Sequence, residues 1–216
     1  MLAIEMGSNW IRGARRGEAP SFAQPSLIAR DANSLKEIAH GQQALQYAGG
    51  ATSLQIVRPF RCGRILDWEG ALSLLRLALK ALHPRRGRPP LALAVAADLS
   101  LVQRRAWKQL AQEAGAGETR LFESPLCAAY GCGCDVSRPL GRAVLHWGGS
   151  TFDVGLLAGG QVLYGESVAL GGLDLDLAVE RAVRKHHGLL ISPVQAEEVK
   201  CQLLSALNQE IGRAHV

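Results

Sequence analysis

The chain has 216 residues, 48% of them hydrophobic and 20% charged, with mean hydropathy near zero, which is enough for one large core or two small ones. Lys and Arg outnumber Asp and Glu by 24 to 19, but the cations are scattered apart from Arg85-Arg86-Gly87-Arg88, which precedes Pro89-Pro90 and reads as a solvated loop, so no nucleic-acid partner is expected. No apolar run reaches the length of a membrane span and nothing at the N-terminus resembles a signal peptide, so a cytoplasmic location is expected.

In chain order, Met1 to Gly13 reads as a short apolar strand, a Gly-Ser-Asn turn and a second strand. A loose region with Pro20 and Pro25 follows, then a helix near Ser34 to Tyr47 and a break at Gly49-Gly50. From Asp67 to Leu82 the apolar residues Leu72, Leu75, Leu79 and Leu82, widened by Leu74 and Ala78, predict an amphipathic helix stopped before Pro84. Leu91 to Ala96 reads as a buried strand, and Ser100 with Gln103 makes a capping-box pattern for a helix reaching about Ala114. A strand at Thr119 to Phe122 and a short Ala-rich helix from Pro125 come next. Ala143 to Gly172 carries three strands separated by a Gly-Gly-Ser-Thr turn and a Gly-Gly turn, and helices are predicted near Leu173 to His187 and Pro193 to Leu207. Strands alternating with helices give an α/β class.

The turns carry the chemistry. Adjacent glycines let a backbone approach a phosphate closely, and Ser150 and Thr151 add hydroxyl donors to the row of N–H groups. One such turn is equally an ordinary β-hairpin; two of them, at Gly7-Ser8-Asn9 and Gly148 to Thr151, suggest a duplicated phosphate clamp. The five cysteines are odd in number and lack metal-ligand spacing, so they read as reduced, mostly buried thiols. His186-His187 ends a helix, where imidazolium suits the dipole.

Several segments, in order along the chain, carry a wider resemblance. They are Glu5-Met6-Gly7-Ser8-Asn9, Pro25-Ser26-Leu27-Ile28-Ala29, Val57-Arg58-Pro59-Phe60, Gln103-Arg104-Arg105-Ala106, Glu123 with Pro125, Ala128 and Ala129, His146 to Val154, Leu170-Gly171-Gly172, and Glu197-Glu198-Val199-Lys200. Together these resemble MreB, the bacterial actin of the actin, Hsp70 and sugar-kinase superfamily. The resemblance implies an actin-like (ribonuclease H-like) ATPase fold. Its first domain would span 1–140, with a small inserted subdomain at about 20–56, and an incomplete second domain would span 141–209. It implies ATP with Mg²⁺, filaments formed by self-association, cell-wall synthesis and inner-membrane proteins as partners, and membrane association.

By that resemblance the nucleotide contacts are Gly7, Ser8, Asn9 and Trp10 in the first phosphate loop, Gly148, Gly149, Ser150 and Thr151 in the second, and Glu197, Glu198, Val199 and Lys200 on a late helix. Glu5 would hold magnesium through water, and Gln103, Glu5 and His146 take the catalytic positions. The family has aspartate where Glu5 and His146 stand, and a histidine is no permanent anion. Nucleotide binding is therefore expected ahead of hydrolysis, with a non-hydrolysing actin-fold scaffold or an Hsp70-like ATPase as alternatives. Glu210 to Val216 reads as a translated sequencing-adapter string, and the family's later Gly-Gly-Gly motif does not occur; the expectation is a gene fragment whose natural sequence runs to about Gln209.

Overall fold

In this computed structural model residues 1–48 and 53–203 are described, and the chain divides into two units, Met1–Gly172 and the part from Leu173 onward. In β1 (Leu2–Met6) Leu2, Ile4 and Met6 are buried and alternate with more open positions, the period of a strand with one face on a core. It turns back antiparallel into β2 (Trp10–Arg15), which pairs with β3 (Phe22–Pro25), so the region around Pro20 and Pro25 is more ordered than its prolines suggested. Next, β4 (Ile28–Asp31), β5 (Glu37–His40), a one-turn α1 (Gln42–Leu45) and β6 (Leu54–Val57) form a separate sheet of order β5-β4-β6 over Leu27, Ala29, Ala39 and Ala44.

Of the helix expected near Ser34 to Tyr47 only the single turn of α1 (Gln42–Leu45) is formed. Asp31 Oδ1 accepts hydrogen bonds from the Ser34 N–H at 2.7 Å and from the Asn33 N–H at 3.1 Å, Leu35 sits at φ 56°, and residues 37–40 pair with β4. Cross-strand pairing and the Asx turn outweigh a local helical spacing. The Gly49-Gly50 break, the end of the helix predicted to Leu207 and the tail 210–216 lie outside the described residues.

A two-stranded ribbon, β7 (Phe60–Arg61) and β8 (Arg64–Ile65), leads into α2 (Trp68–Leu82). Asp67 caps α2 by accepting from the Gly70 N–H at 3.3 Å, and its carboxylate also binds the Arg30 guanidinium at 3.0 Å. The helix buries Ala71, Leu74, Leu75, Ala78 and Leu82 in the main core. β9 (Leu91–Val95) then lies parallel to β1, α3 (Leu101–Ala114) crosses over, and β10 (Thr119–Glu123) lies parallel to β9, giving the order β10-β9-β1-β2-β3.

The start of α3 is the box read from the sequence: Ser100 Oγ accepts from the Gln103 N–H at 3.3 Å, and Gln103 Oε1 accepts from the Ser100 N–H at 2.8 Å. Ser100→Ala is expected to lower the unfolding free energy by about 1 kcal/mol, read as a lower urea midpoint at an unchanged slope.

α4 (Ser124–Gly131) opens with Pro125 in its first turn and packs Leu126 and Ala129 against a meander of β11 (Arg142–Trp147), β12 (Phe152–Ala158) and β13 (Gln161–Val168). A Cβ on Gly155 would sit 2.5 Å from Pro125 Cβ, so only glycine admits this approach of helix to sheet. The second unit is described by itself. Its α5 (Gly172–His187) ends in Arg184, Lys185, His186 and His187, and the positive charge of Arg184 and Lys185 suits a helix C-terminus. Its α6 (Pro193–Leu203) carries Lys200, whose Nζ lies 2.7 Å from Asp176 Oδ1 on α5.

Candidate phosphate-binding site

The two glycine turns close with the same hydrogen bond. The Gly7 N–H donates to the Trp10 carbonyl at 3.0 Å, and the Gly148 N–H donates to the Thr151 carbonyl at 2.8 Å. Each turn therefore spans four residues between antiparallel strands, β1 to β2 and β11 to β12. They face each other closely. Ser8 Oγ and Ser150 Oγ are 2.5 Å apart, both residues are buried, and a Cβ on Gly149 would reach within 3.0 Å of Asn9 Cβ.

Surrounding segments fix both turns. Ser26 Oγ donates to the Gly7 carbonyl at 2.5 Å, and Arg58 donates to Asn9 Oδ1 at 2.8 Å and to the Ser8 carbonyl at 3.3 Å. The Cys62 N–H donates to Ser150 Oγ at 2.7 Å from a turn in which Cys62 and Gly63 adopt φ 48° and 69°. The Gly172 N–H donates to the Gly148 carbonyl at 3.0 Å, and Gly171 lies so close that a Cβ there would fall 2.5 Å from the Gly149 carbonyl oxygen.

A cavity of about 60 Å³ opens between the turns, with Glu5, Ser8, His146, Gly149, Ser150 and Asp153 among its walls. Its charged walls are paired across each hairpin. Glu5 stands opposite Arg12, with Oε2 3.6 Å from the guanidinium, and His146 stands opposite Asp153, with Nδ1 3.2 Å from Oδ2. Asp153 is 1% exposed, and its other oxygen accepts from the Ser167 hydroxyl on β13.

The Asp153 hydrogen bond raises the His146 pKa above its ordinary value; burial opposes this, the Asp153 and Glu5 charges add to it and Arg12 subtracts. A group whose folded pKa is raised contributes stability that is whole below its unfolded pKa, about 6.5, and is lost as pH rises through the folded value. Stability is therefore expected to fall as pH is raised above about 6.5, and His146→Asn should remove that slope from the pH dependence of the urea midpoint.

These residues do not make a magnesium site. Mg²⁺ takes an octahedron of oxygens, several of them water and others from substrate phosphates, with one or two carboxylates from the protein. Here Glu5 faces Arg12, Asp153 faces His146 and Ser167, and the described residues contain no group of three His, Cys, Asp or Glu able to hold a metal.

Of the other residues singled out from sequence, Gly7, Gly148 and Thr151 also line the cavity, while Asn9 is held by Arg58 beside it. Trp10 lies at the start of β2 with the Arg12 guanidinium 5.9 Å above its ring. Gln103 shares an adjoining space of about 130 Å³ with Thr151, Cys62 and Ser167, its carbonyl oxygen held in the α3 cap. Glu197, Glu198, Val199 and Lys200 lie together on α6 in the second unit, with Lys200 against Asp176.

The cysteines are free, as read, but not mostly buried: Cys132 and Cys201 are exposed and Cys62, Cys127 and Cys134 half-buried. Burial, with the Glu5 and Glu123 carboxylates, pushes the Cys127 thiol up to about 11, so it is no nucleophile.

Sequence reading missed Asp153, Ser167 and the Cys62 N–H. For Asp153 a signal existed: with the turn at Gly148 to Thr151, residues 146 and 153 must fall opposite each other.

A mixed sheet followed by a meander, with a glycine turn from each closing on a common cavity, defines an α/β protein of actin-like fold. The chain belongs to the MreB/Mbl protein family, whose sequence pattern matches residues 1–215. It is 33% identical over 213 residues to the cell shape-determining protein MreB of Escherichia coli (strain K12), covering 95% of this chain and 61% of that protein. The fold is similar to MreB5 of Spiroplasma citri bound to ADP, with TM-score 0.89 and 24% identity over 97% of this chain and 64% of that one. It is also similar to the MamK double helical filament, with TM-score 0.79 and 19% identity over 93% of this chain and 64% of that one. The chain thus spans somewhat over three fifths of the length of the relatives it matches.

Proposed function

We propose that this protein serves as an MreB-like bacterial actin: a cytoplasmic, ATP-binding, filament-forming cytoskeletal protein that maintains cell shape and organises cell-wall synthesis. The observation that carries this reading is the pair of matching glycine turns, joined through Ser8 and Ser150, on the walls of one cavity. Backbone N–H groups and hydroxyls gathered in this way suit phosphate oxygens. Membrane association, and inner-membrane and cell-wall synthesis proteins as partners, follow from the same reading.

Glu5, Gly7 to Trp10 and Gly148 to Thr151 would border the phosphates. Family membership supports assigning ATP, and the MreB5 relative was solved with ADP. His146, held by Asp153 where an aspartate is expected, favours binding without turnover. The test is sedimentation and electron microscopy with ATP, with ADP and without nucleotide, alongside phosphate release. Polymers that need ATP support the filament reading, and polymers without phosphate release identify a non-hydrolysing scaffold. Monodisperse protein under all three conditions would overturn self-assembly.

A further inference from the structure

We propose that the cavity between the two glycine turns takes the polyphosphate of its nucleotide as a free anion, with no divalent cation, the His146 imidazolium supplying the positive charge there. The inference rests on the nucleotide reading above and concerns how that same site balances charge.

The two carboxylates on the cavity wall are each matched by a cation across their own hairpin, Glu5 by Arg12 and Asp153 by His146, through strand registers fixed by the turns. To ligate a metal, Glu5 would have to leave Arg12, and Asp153 would have to leave both the imidazole and the Ser167 hydroxyl while 1% exposed. A divalent ion placed there would also stand beside His146, whose raised pKa favours the cation. Like charges at such range are unfavourable in a half-buried site.

A phosphate meets the opposite situation. His146 lines the cavity, Arg12 is paired with Glu5 of its wall, and Arg58 borders the first turn through the Ser8 carbonyl and Asn9 Oδ1, so three cations stand near two carboxylates. His146 is placed to donate. Its Nδ1 is occupied by Asp153, its Nε2 has no hydrogen bond among the described residues, and its Cε1 lies 3.8 Å from where a Cβ on Gly148 would stand, against the second turn. An imidazolium donates from both nitrogens, so Nε2–H remains for a phosphate oxygen. The charged and titratable groups facing His146 are Asp153 on β12, Glu5 on β1, Arg12 on β2 and the Cys127 thiol on α4, which stays neutral at about 11.

The test is a titration of the full chain with fluorescent ATP in excess EDTA and in excess Mg²⁺, at about pH 6.5 and about pH 8.5, for the wild type, H146N and H146D. The wild type is expected to bind at least as tightly in EDTA as in Mg²⁺. Its affinity should fall about tenfold more than that of H146N between the two pH values, a comparison that cancels titration of the nucleotide itself. H146D is expected to bind only with Mg²⁺. H146N, which keeps the size of the side chain without the charge, holds the test open if H146D does not fold. Wild-type binding that EDTA abolishes and Mg²⁺ restores would overturn the inference and leave the nucleotide reading intact. Absence of ATP binding in every buffer would overturn both.

Discussion

Gly171→Ala is expected to weaken ATP binding by about tenfold or more and to lower the melting temperature, because the added methyl has nowhere to go. Its Cβ would lie 2.5 Å from both the carbonyl carbon and the carbonyl oxygen of Gly149, atoms of the second turn's backbone that cannot rotate aside as a side chain could. Overpacking of this kind costs about 1–3 kcal/mol. The displacement falls on Gly149 and Ser150, so the shift reaches the Ser8 to Ser150 contact and the Cys62 N–H bond together. Gly131→Ala is the matched control: it lies in α4 with nothing within 4 Å of its Cβ position, and should leave affinity unchanged. Titration of both variants with nucleotide, beside their melting curves, decides the matter. Wild-type affinity in Gly171→Ala would mean that this close approach does not shape the site.

Phe60→Ala is expected to destabilise the protein by about 3–5 kcal/mol, against a total for a domain of about 5–15 kcal/mol. Phe60 is 1% exposed and stacks on Trp107 with ring centroids 5.4 Å apart and planes inclined at 22°. The Trp107 indole in turn donates to the Gly63 carbonyl at 3.1 Å, so the aromatic pair props the ribbon that presents the Cys62 N–H to Ser150. Truncation therefore leaves a cavity in the main core and loosens one wall of the phosphate site. Urea unfolding followed by tryptophan fluorescence measures the first effect, and nucleotide titration of the folded variant the second. A loss under about 1 kcal/mol would show that the core closes over the gap.

Legibility tracked how local the determining interactions are. The α2 stripe, the Ser100 and Gln103 box, the Leu91 strand and the glycine turns are each set by residues within a few positions of one another, and all four appear where the sequence put them. Most of the segment 34–47 departs from the helix expected there because the pairing that decides its state, Ile28 with His40, is non-local. Within the site, the turn residues were legible from glycine and hydroxyl content. The charge pairs that decide what the turns hold were not, because Glu5 with Arg12 and His146 with Asp153 become neighbours only once strand register is fixed. His146 marked a departure from the family pattern on its own; only the register gave it a partner and a reason to be cationic.

The contact between Ser8 and Ser150 also sets the terms on which any anion enters. The two hydroxyls share one hydrogen bond and Ser150 Oγ also accepts from the Cys62 N–H, so one of the two O–H donors is used between them and the other remains to meet an anion. Admission is an exchange: one neutral hydrogen bond, worth about 0.5–1.5 kcal/mol, is broken and charge-assisted ones worth about 1.5–3 kcal/mol each replace it. Neutral ligands gain little from that trade, whereas a chain of phosphates can engage both hydroxyls at once. On the proposed nucleotide reading, this pair of serines would favour ligands that bring several phosphate oxygens over neutral ones.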